Sequence, residues 1–177
     1  MKKEGKKLLG LSIRYFILIL LAIPNLFIFY FVFTPLTLYP VYFLLNLFFD
    51  TILVKNIIIL SGTLPIELIP ACIAGAAYYL LLILNLSTPE IKLNKRIKMI
   101  SISLITLLIL NILRIFFLSI VAYSGSPLFD ITHKIFWYLV STLFVVGIWF
   151  WQVKKFKIKE IPIFSDLKFL YSKTKKN

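Results

Sequence analysis

The sequence predicts an all-α polytopic membrane protein with about four transmembrane helices, a short re-entrant or interfacial helix and a small outward β-hairpin. Hydrophobic residues make up 60% of the 177 residues and charged residues only 15%, with a mean hydropathy of +0.96. Several apolar runs approach the ~20 residues that a helix needs to cross a bilayer. Almost all of the basic residues flank these runs. Such a composition excludes a soluble enzyme.

Four apolar runs are bounded by charged or turn residues and are predicted to cross the membrane. They are Leu11 to Phe33, Ala71 to Leu86, Met99 to Tyr123 and Lys134 to Trp151. The first run has a basic start, as a signal peptide does. Its length, and the lack of a small-x-small cleavage site after it, favour a retained anchor. Pro24 is expected to kink this first helix.

The distribution of basic residues predicts the orientation. Five Lys and Arg lie before or at the start of the first run, four lie between the second and third, and eight follow the fourth, which is seventeen of the twenty in the chain. Loops rich in Lys and Arg stay in the cytoplasm. Both termini of this multi-pass plasma-membrane protein are therefore predicted to be cytoplasmic, whereas Thr34 to Pro70 and Ser124 to His133 face outward. The net charge of +13 indicates anionic lipid, and not nucleic acid, as the partner.

The number of membrane crossings, odd or even, constrains the outward segment between the first two spans. A further crossing there would move the basic cluster from Lys92 to Lys98 outside, against the charge rule. Leu36 to Phe49 is therefore predicted to be a short re-entrant or interfacial helix, since its fourteen residues span only ~21 Å.

Two β-branched runs follow, "TILVKNIIIL" and "TLPIELIP", separated by "SGT". They predict a small outward hairpin over residues 51–70. Pro65 and Pro70 confine its second strand to an edge or an irregular end, because proline lacks the N–H that a central strand donates. Residues 1–153 are thus predicted to form a single membrane-embedded domain, which also contains the candidate catalytic residues, and residues 154–177 a basic cytoplasmic tail.

Three polar residues fall in apolar surroundings near the outer side of this topology. Cys72 is the only cysteine and begins the second span, and His133 lies at the outer start of the fourth. Arg114 is sixteen residues past Lys98 and nine before Tyr123, so it lies ~24 Å from the inner end of its helix and ~13 Å from the outer end. A charged side chain at that depth costs roughly 2.5 to 3.5 kcal/mol, so an intramembrane arginine indicates function.

Cysteine, arginine and histidine are a chemically sufficient set for acyl transfer. A thiolate is the nucleophile, and a fixed cation nearby favours it. Arg114 is placed either to stabilise the Cys72 thiolate or to hold the oxyanion that forms when a carbonyl is attacked. His133 suits the transfer of the thiol proton to a leaving amine. Asn111, one turn before Arg114, suits orienting the guanidinium or donating to the carbonyl.

At these residues the chain resembles the exosortase and archaeosortase family of membrane-embedded cysteine transpeptidases. The resemblance covers roughly residues 36–150 and rests on the strand pair leading to Cys72, the "NILRI" element from Asn111, and His133 opening the last span. It implies a catalytic triad of Cys72, Arg114 and His133. In the family, the third residue of this triad is either His or Arg. The family usually has the sequence Cys-Ser/Thr-Gly, whereas this chain has Cys72-Ile73-Ala74-Gly75. Gly75 is expected on the same helical face as Cys72. Gly75 and Asn111 are expected to bind or orient the substrate.

The resemblance also implies the substrate. It would be a secreted surface protein carrying a C-terminal sorting signal, which consists of a short motif, a transmembrane helix and a basic cluster. The acceptor of the acyl group would be water or an amine of a membrane lipid. No cofactor is implied, and one His and one Cys do not fill a tetrahedral zinc site, so no metal is expected.

Each of these residues also has a structural interpretation. A lone cysteine in a span is often a small packed residue, and an Asn-x-x-Arg pair can join helices by binding backbone carbonyls. Gly75 and the alanines after it can serve close helix packing. A non-catalytic multi-pass protein, either a transporter or an assembly partner, is therefore the alternative function. The case for an enzyme is the joint occurrence of Cys72, Arg114 and His133 on one side of the membrane.

Overall fold

The computed structural model describes residues 2–23 and 25–174. The described residues form eight α-helices, a three-stranded sheet and one π-helical turn. The helices are α1 (Lys2–Ala22), α2 (Phe27–Asn46), α3 (Pro70–Ile73), α4 (Gly75–Leu86), α5 (Leu93–Tyr123), α6 (Phe129–Ile135), α7 (Ser141–Lys155) and α8 (Phe164–Thr174). The strands are β1 (Thr51–Val54), β2 (Ile57–Leu60) and β3 (Leu64–Glu67), and the π-helical turn covers Phe136–Val140.

Two of the described helices, α2 and α5, are long and apolar enough to cross a membrane. The most apolar stretch of the 31-residue helix α5 has a mean hydropathy of 2.5, and that of the 20-residue helix α2 has 1.7. α3 and α4 together form a shorter apolar stretch, Pro70–Leu86. The helical class and the small sheet agree with the sequence-based prediction.

The first predicted span, Leu11 to Phe33, is divided between two helices. α1 ends at Ala22 and α2 begins at Phe27, because Asn25 and Leu26 adopt left-handed backbone conformations with φ of 49° and 59°. An α-helix does not continue through such residues. Pro24, the predicted kink, lies outside the described residues.

α2 replaces the short helix predicted from Leu36 to Phe49, and it is continuous from Phe27–Asn46. Pro35 and Pro40 lie inside it. Proline removes one backbone hydrogen bond from a helix, and the packing of neighbouring helices compensates for that loss in membrane proteins. On α2, Val41 and Leu45 are fully buried in the core. The prediction, made from the number of crossings and the length of the segment, therefore missed this helix, which tertiary packing holds together across its prolines.

Pairwise contacts show how α1 and α2 run relative to α4. Near the start of the chain, Arg14 Nη1 donates to the carbonyl oxygen of Leu86 at 2.9 Å, at the end of α4. Further along, the ring of Phe33 stacks on Tyr78, near the start of α4, with centroids 3.7 Å apart. Successive positions of α1 and α2 thus meet successively earlier positions of α4. Both helices run antiparallel to α4, and α1 and α2 together make one passage along the bundle.

The helix α5 packs against both α4 and α7, which also contact each other. Asn85 Nδ2 donates to Ser103 Oγ at 3.2 Å, which joins the end of α4 to the first half of α5. Gln152 near the end of α7 donates to the carbonyl oxygen of Met99, close to the start of α5. α4 and α7 therefore both pack antiparallel to α5. All four residues are fully buried, so the polar pairs lie inside the bundle.

The predicted hairpin is a three-stranded antiparallel meander in the order β1-β2-β3. The run "TILVKNIIIL", predicted as one strand, folds into β1 and β2 around Lys55 and Asn56, where Lys55 has a φ of 55°. The "SGT" segment forms the second turn, in which Ser61 and Gly62 both have positive φ. β3 contains Pro65 and is an edge strand, as predicted.

The fourth predicted span, Lys134 to Trp151, is longer than expected and irregular. It consists of α6, the π-helical turn Phe136–Val140 and α7, so helical structure extends from Phe129 to Lys155. A single π-helical turn inside α-helical structure is often found at functional sites. Here it places Ser141 beside α5.

The end of the bundle opposite the sheet, which we call the basic end, is defined by Lys7, Arg14 and Arg96. Arg14 Nη2 pairs with Asp166 of α8 at 2.9 Å, and both side chains are largely buried. At the surface, Lys7 lies 2.7 Å from Glu90 and thereby lowers the pKa of that carboxyl. The segment predicted as a basic tail thus contains a helix that packs on α1, up to Thr174. Residues 175–177 lie outside the described chain.

Candidate active site

A cavity of about 350 Å³ lies between β3, α3, α5 and α6. Cys72, Arg114 and His133 all line it, although they come from three different helices. Most of the remaining wall is apolar and includes Leu64, Ile66, Ile69, Ile115, Leu118 and Phe129. The structure therefore brings the three residues singled out from the sequence to one concave surface.

Cys72 is the third residue of the short helix α3. Pro70 begins this helix, a position where proline is favoured because its missing N–H would lack a helical partner anyway. The Cys72 N–H donates to the carbonyl oxygen of Ile69 at 2.8 Å, which fixes the first turn. The thiol is free and partly exposed. It is thus accessible from the cavity.

The helix breaks directly after Ile73. Ala74 has φ 62° and ψ 38°, the left-handed conformation, so α3 ends and α4 starts anew at Gly75. The predicted single span from Ala71 to Leu86 is therefore two helices. Cys72 and Gly75 therefore lie on different helices and, contrary to the prediction, do not share a helical face.

The break leaves backbone carbonyls without helical partners, and α5 supplies donors for them. Asn111 Nδ2 donates to the Cys72 oxygen at 2.9 Å and to the Ile73 oxygen at 3.4 Å. Arg114 Nη2 donates to the same Cys72 oxygen at 3.1 Å. Unpaired carbonyls are costly in an apolar interior, so these bonds stabilise the break. The Asn-x-x-Arg spacing puts both donors on one face of α5.

Arg114 is held from a second side by Ser141. Arg114 Nη1 donates to Ser141 Oγ at 2.8 Å, and Ser141 Oγ donates to the Phe136 oxygen at 2.9 Å, across the π-helical turn. Arg114 Nε is buried without a hydrogen-bond partner among the described residues. A guanidinium has five N–H groups, so one N–H on each Nη remains for a ligand.

Sequence reasoning did not find Ser141. It lies 27 residues after Arg114 on another helix, and a serine in an apolar span has no distinctive spacing. The π-helical turn that positions it is decided by packing and not by a local sequence signal. Glu67 and Ser119 also line the cavity without having been selected as site residues.

His133 lies on α6 and is half-buried. Its ring stacks on Phe129, one turn earlier, with centroids 5.6 Å apart and planes 6° apart. Both rings face the cavity. The stacking holds the imidazole at the cavity wall, and the site therefore combines a thiol, a guanidinium with unused donors and an imidazole.

Gly75, predicted to help orient the substrate, is buried and lies against Tyr30 of α2. A Cβ added at Gly75 would lie 2.7 Å from Tyr30 Cε1 and 2.8 Å from Tyr30 Cζ. The residues that line the cavity do not include Gly75. Its position is that of a glycine that permits close helix packing.

Replacing Gly75 by valine is expected to destabilise the protein by about 1 to 3 kcal/mol, because the added methyl groups overlap the Tyr30 ring. Gly147→Val is the matched control, since a Cβ at Gly147 on α7 has open space around it. Unfolding of both variants in detergent measures the difference. Tyr30→Ala in the Gly75→Val chain should restore part of the stability, and equal stabilities of the two valine variants would contradict the packing role.

No protein-family model, curated protein or solved structure matches the chain. Within residues 2–23 and 25–174, no group of three or more His, Cys, Asp or Glu side chains is placed to hold a metal ion. The function is therefore inferred from the cavity and the residues that line it.

Proposed function

We propose that this protein is a membrane-embedded cysteine peptidase or transpeptidase that acts through a thioacyl intermediate. The observation that carries the proposal is that Cys72, Arg114 and His133 line one cavity. A nucleophile, a donor for an oxyanion and a proton-transfer group around one space are the parts that acyl transfer requires.

In the first step His133 takes the thiol proton, and the Cys72 sulfur attacks the carbonyl carbon of the scissile peptide bond. The carbonyl oxygen becomes an oxyanion, which accepts the unused N–H groups of Arg114. The carbon–nitrogen bond then breaks, His133 gives its proton to the leaving amine, and a thioester joins Cys72 to the substrate.

In the second step a water molecule or an amine attacks the thioester carbon. Attack by water releases a carboxylic acid, and attack by an amine forms a new amide bond. In both cases the carbon–sulfur bond breaks and the proton lost by the attacking group returns the thiol. An amine of a membrane lipid is an acceptor that a membrane-embedded site can reach.

The substrate in this proposal is a secreted protein with a C-terminal motif, a transmembrane helix and a basic cluster. Support for a site at the membrane comes from α5, where Ile105, Ile109 and Leu113 are each more than half exposed at successive turns. Such an apolar stripe is unfavourable in water and favourable in lipid. A substrate helix lying in the bilayer would hold its preceding motif near Cys72.

The proposed topology has four crossings: α1 with α2, α3 with α4, α5, and α6 with α7. The sheet and the cavity then lie on the outer side of the plasma membrane, and the basic end lies in the cytoplasm. We expect a cysteine placed at Asn94, in a Cys72→Ala background, to resist an impermeant thiol reagent added from outside. A cysteine at Asp50, beside the sheet, should react. Labelling at Asn94 but not at Asp50 would reverse the orientation.

The alternative, a non-catalytic membrane protein, is favoured by the same contacts of Asn111 and Arg114. Both donate to the Cys72 carbonyl and stabilise the break between α3 and α4. A purely structural role explains these bonds. It does not require a partly exposed thiol or an imidazole on the same cavity.

Trapping a covalent adduct distinguishes the two functions. A secreted reporter that ends in a randomised six-residue segment, a transmembrane helix and a basic cluster is co-expressed with the protein, and thioester adducts are captured from denatured membranes. The enzyme function predicts an adduct at Cys72 that hydroxylamine releases. Absence of any such adduct across the library, with the protein and reporters present in the membrane, would favour the non-catalytic alternative.

A further inference from the structure

The free edge of β3 carries unused backbone groups. Within the meander, β3 pairs only with β2, with Ile58 opposite Ile66 and Ile59 opposite Pro65. The Leu68 N–H donates to the Asn56 oxygen at 2.9 Å, which continues the same ladder by one residue pair. Antiparallel pairs alternate between hydrogen-bonded and non-hydrogen-bonded. Hence the backbone N–H and C=O groups of residues 64, 66 and 68 face β2, and those of residues 65 and 67 point away from it.

Proline at position 65 agrees with this assignment. Pro65 has no N–H, so it fits a position where none is needed for the ladder with β2. The free edge therefore offers three groups: the Pro65 carbonyl, the Glu67 N–H and the Glu67 carbonyl. Over residues 2–23 and 25–174, no backbone hydrogen bond joins any of these three groups to another segment.

This edge belongs to the cavity that contains the candidate nucleophile. All four residues of β3 line that cavity together with Cys72. β3 ends at Glu67 and α3 begins at Pro70, so only two residues separate the strand from the helix that carries the thiol. The free backbone groups and Cys72 thus lie along one continuous surface.

We propose that an extended segment of the substrate polypeptide binds along the free edge of β3 as a fourth strand. This rests on the proposed function, because it states how the peptide reaches Cys72. The occupant must be extended, since a helix uses its own backbone groups internally and has none for the edge. It is therefore the segment that precedes the transmembrane helix of the substrate.

The cavity also suits such an occupant. Its volume of about 350 Å³ lies within the range of ligand-binding sites, roughly 300 to 1,000 Å³. Strand addition supplies affinity through main-chain bonds, and pockets beside the strand select alternate side chains. Because Ile66, Ile69, Ile115 and Leu118 face this space, the selected side chains are apolar and two residues apart.

A single substitution tests the main-chain donor. Glu67→Pro removes the N–H on the free edge and leaves the ladder with β2 intact, as Pro65 does. Glu67→Ala removes the same side chain, including its bond from Asn56 Nδ2 at 3.3 Å, but keeps the N–H. The ratio of substrate binding between the two variants therefore reports on the backbone N–H of residue 67 alone.

Binding is measured without chemistry, in a Cys72→Ala background. A photo-reactive amino acid at Leu64, which lines the cavity, captures the same library of secreted reporters in intact membranes. We expect capture in Glu67→Pro to be about tenfold below that in Glu67→Ala, the loss that one main-chain hydrogen bond in an apolar site produces. Equal capture in the two variants, or no capture in either, would overturn the proposal.

A second measurement does not depend on how Glu67→Pro folds. Moving the photo-reactive residue from Leu64 to Ile66 should shift the captured position on one selected reporter by two residues, because paired strands advance together. Scattered or unshifted positions would overturn strand addition. Capture with this shift, in a protein whose Cys72 never forms a thioester, would instead count against the proposed chemistry and leave the binding site standing.

Discussion

Cys72→Ala and Cys72→Ser are both expected to abolish processing of the secreted reporter, with a loss of about 10³-fold or more. Alanine has no nucleophile, and a serine hydroxyl at the same place does not ionise as a thiol does. The measurement is the fraction of reporter cleaved or transferred in membranes, with adduct formation at position 72 as the second readout.

Insertion and stability should be unchanged in these variants, because the thiol is partly exposed and the bonds from Asn111 and Arg114 end on the backbone oxygen of residue 72. Unfolding in detergent checks this. Processing by Cys72→Ala at the wild-type rate would remove the thiol from the mechanism and favour the non-catalytic alternative.

Arg114→Lys is expected to lower processing by about 10² to 10³-fold. Lysine keeps the positive charge, but its single ammonium does not span the Cys72 oxygen and Ser141 Oγ while also presenting donors to an oxyanion. Some stability should be lost as well, about 1 to 3 kcal/mol, if the Cys72 carbonyl loses its charged partner. The rate per folded protein separates the two effects.

Arg96→Lys is the matched control. Arg96 and Arg114 are each 8% exposed, and both donate to backbone carbonyls at a helix end. Arg96 binds the oxygens of Asn85, Leu86 and Thr88 at 2.7 to 2.8 Å, at the basic end of the bundle. Its substitution should lower stability without changing the rate per folded molecule. Equal loss of rate in both variants would assign Arg114 a structural role.

The apolar helical class followed from composition, because a 60% hydrophobic chain with flanking basic clusters is typical of proteins with helices long and apolar enough to cross a membrane. The edge position of β3 followed from Pro65, and the turn at "SGT" from its glycine. These features depend on one residue or on a local average. Local patterns therefore predicted them.

Helix boundaries were predicted less well. The first predicted span ended at Phe33, yet α2 continues past it to Asn46. Asn25, Leu26 and Ala74 interrupt the helices without a distinctive signal. A left-handed residue outside glycine costs free energy, and surrounding packing must stabilise it. Packing involves residues far apart in sequence, so single-sequence patterns do not report it.

The sequence by itself determined that the chain is an apolar helical protein. It also singled out Cys72, Arg114 and His133, because each is a reactive or charged side chain within or beside an apolar run. Only the tertiary structure decided that these three line one cavity, that Asn111 and Arg114 bind the carbonyl of Cys72, and that Gly75 packs against Tyr30. The physical reason is that the chemistry of a side chain is a property of that residue alone. Which donors bind the carbonyls left unpaired at the break between α3 and α4 depends on which helices pack together.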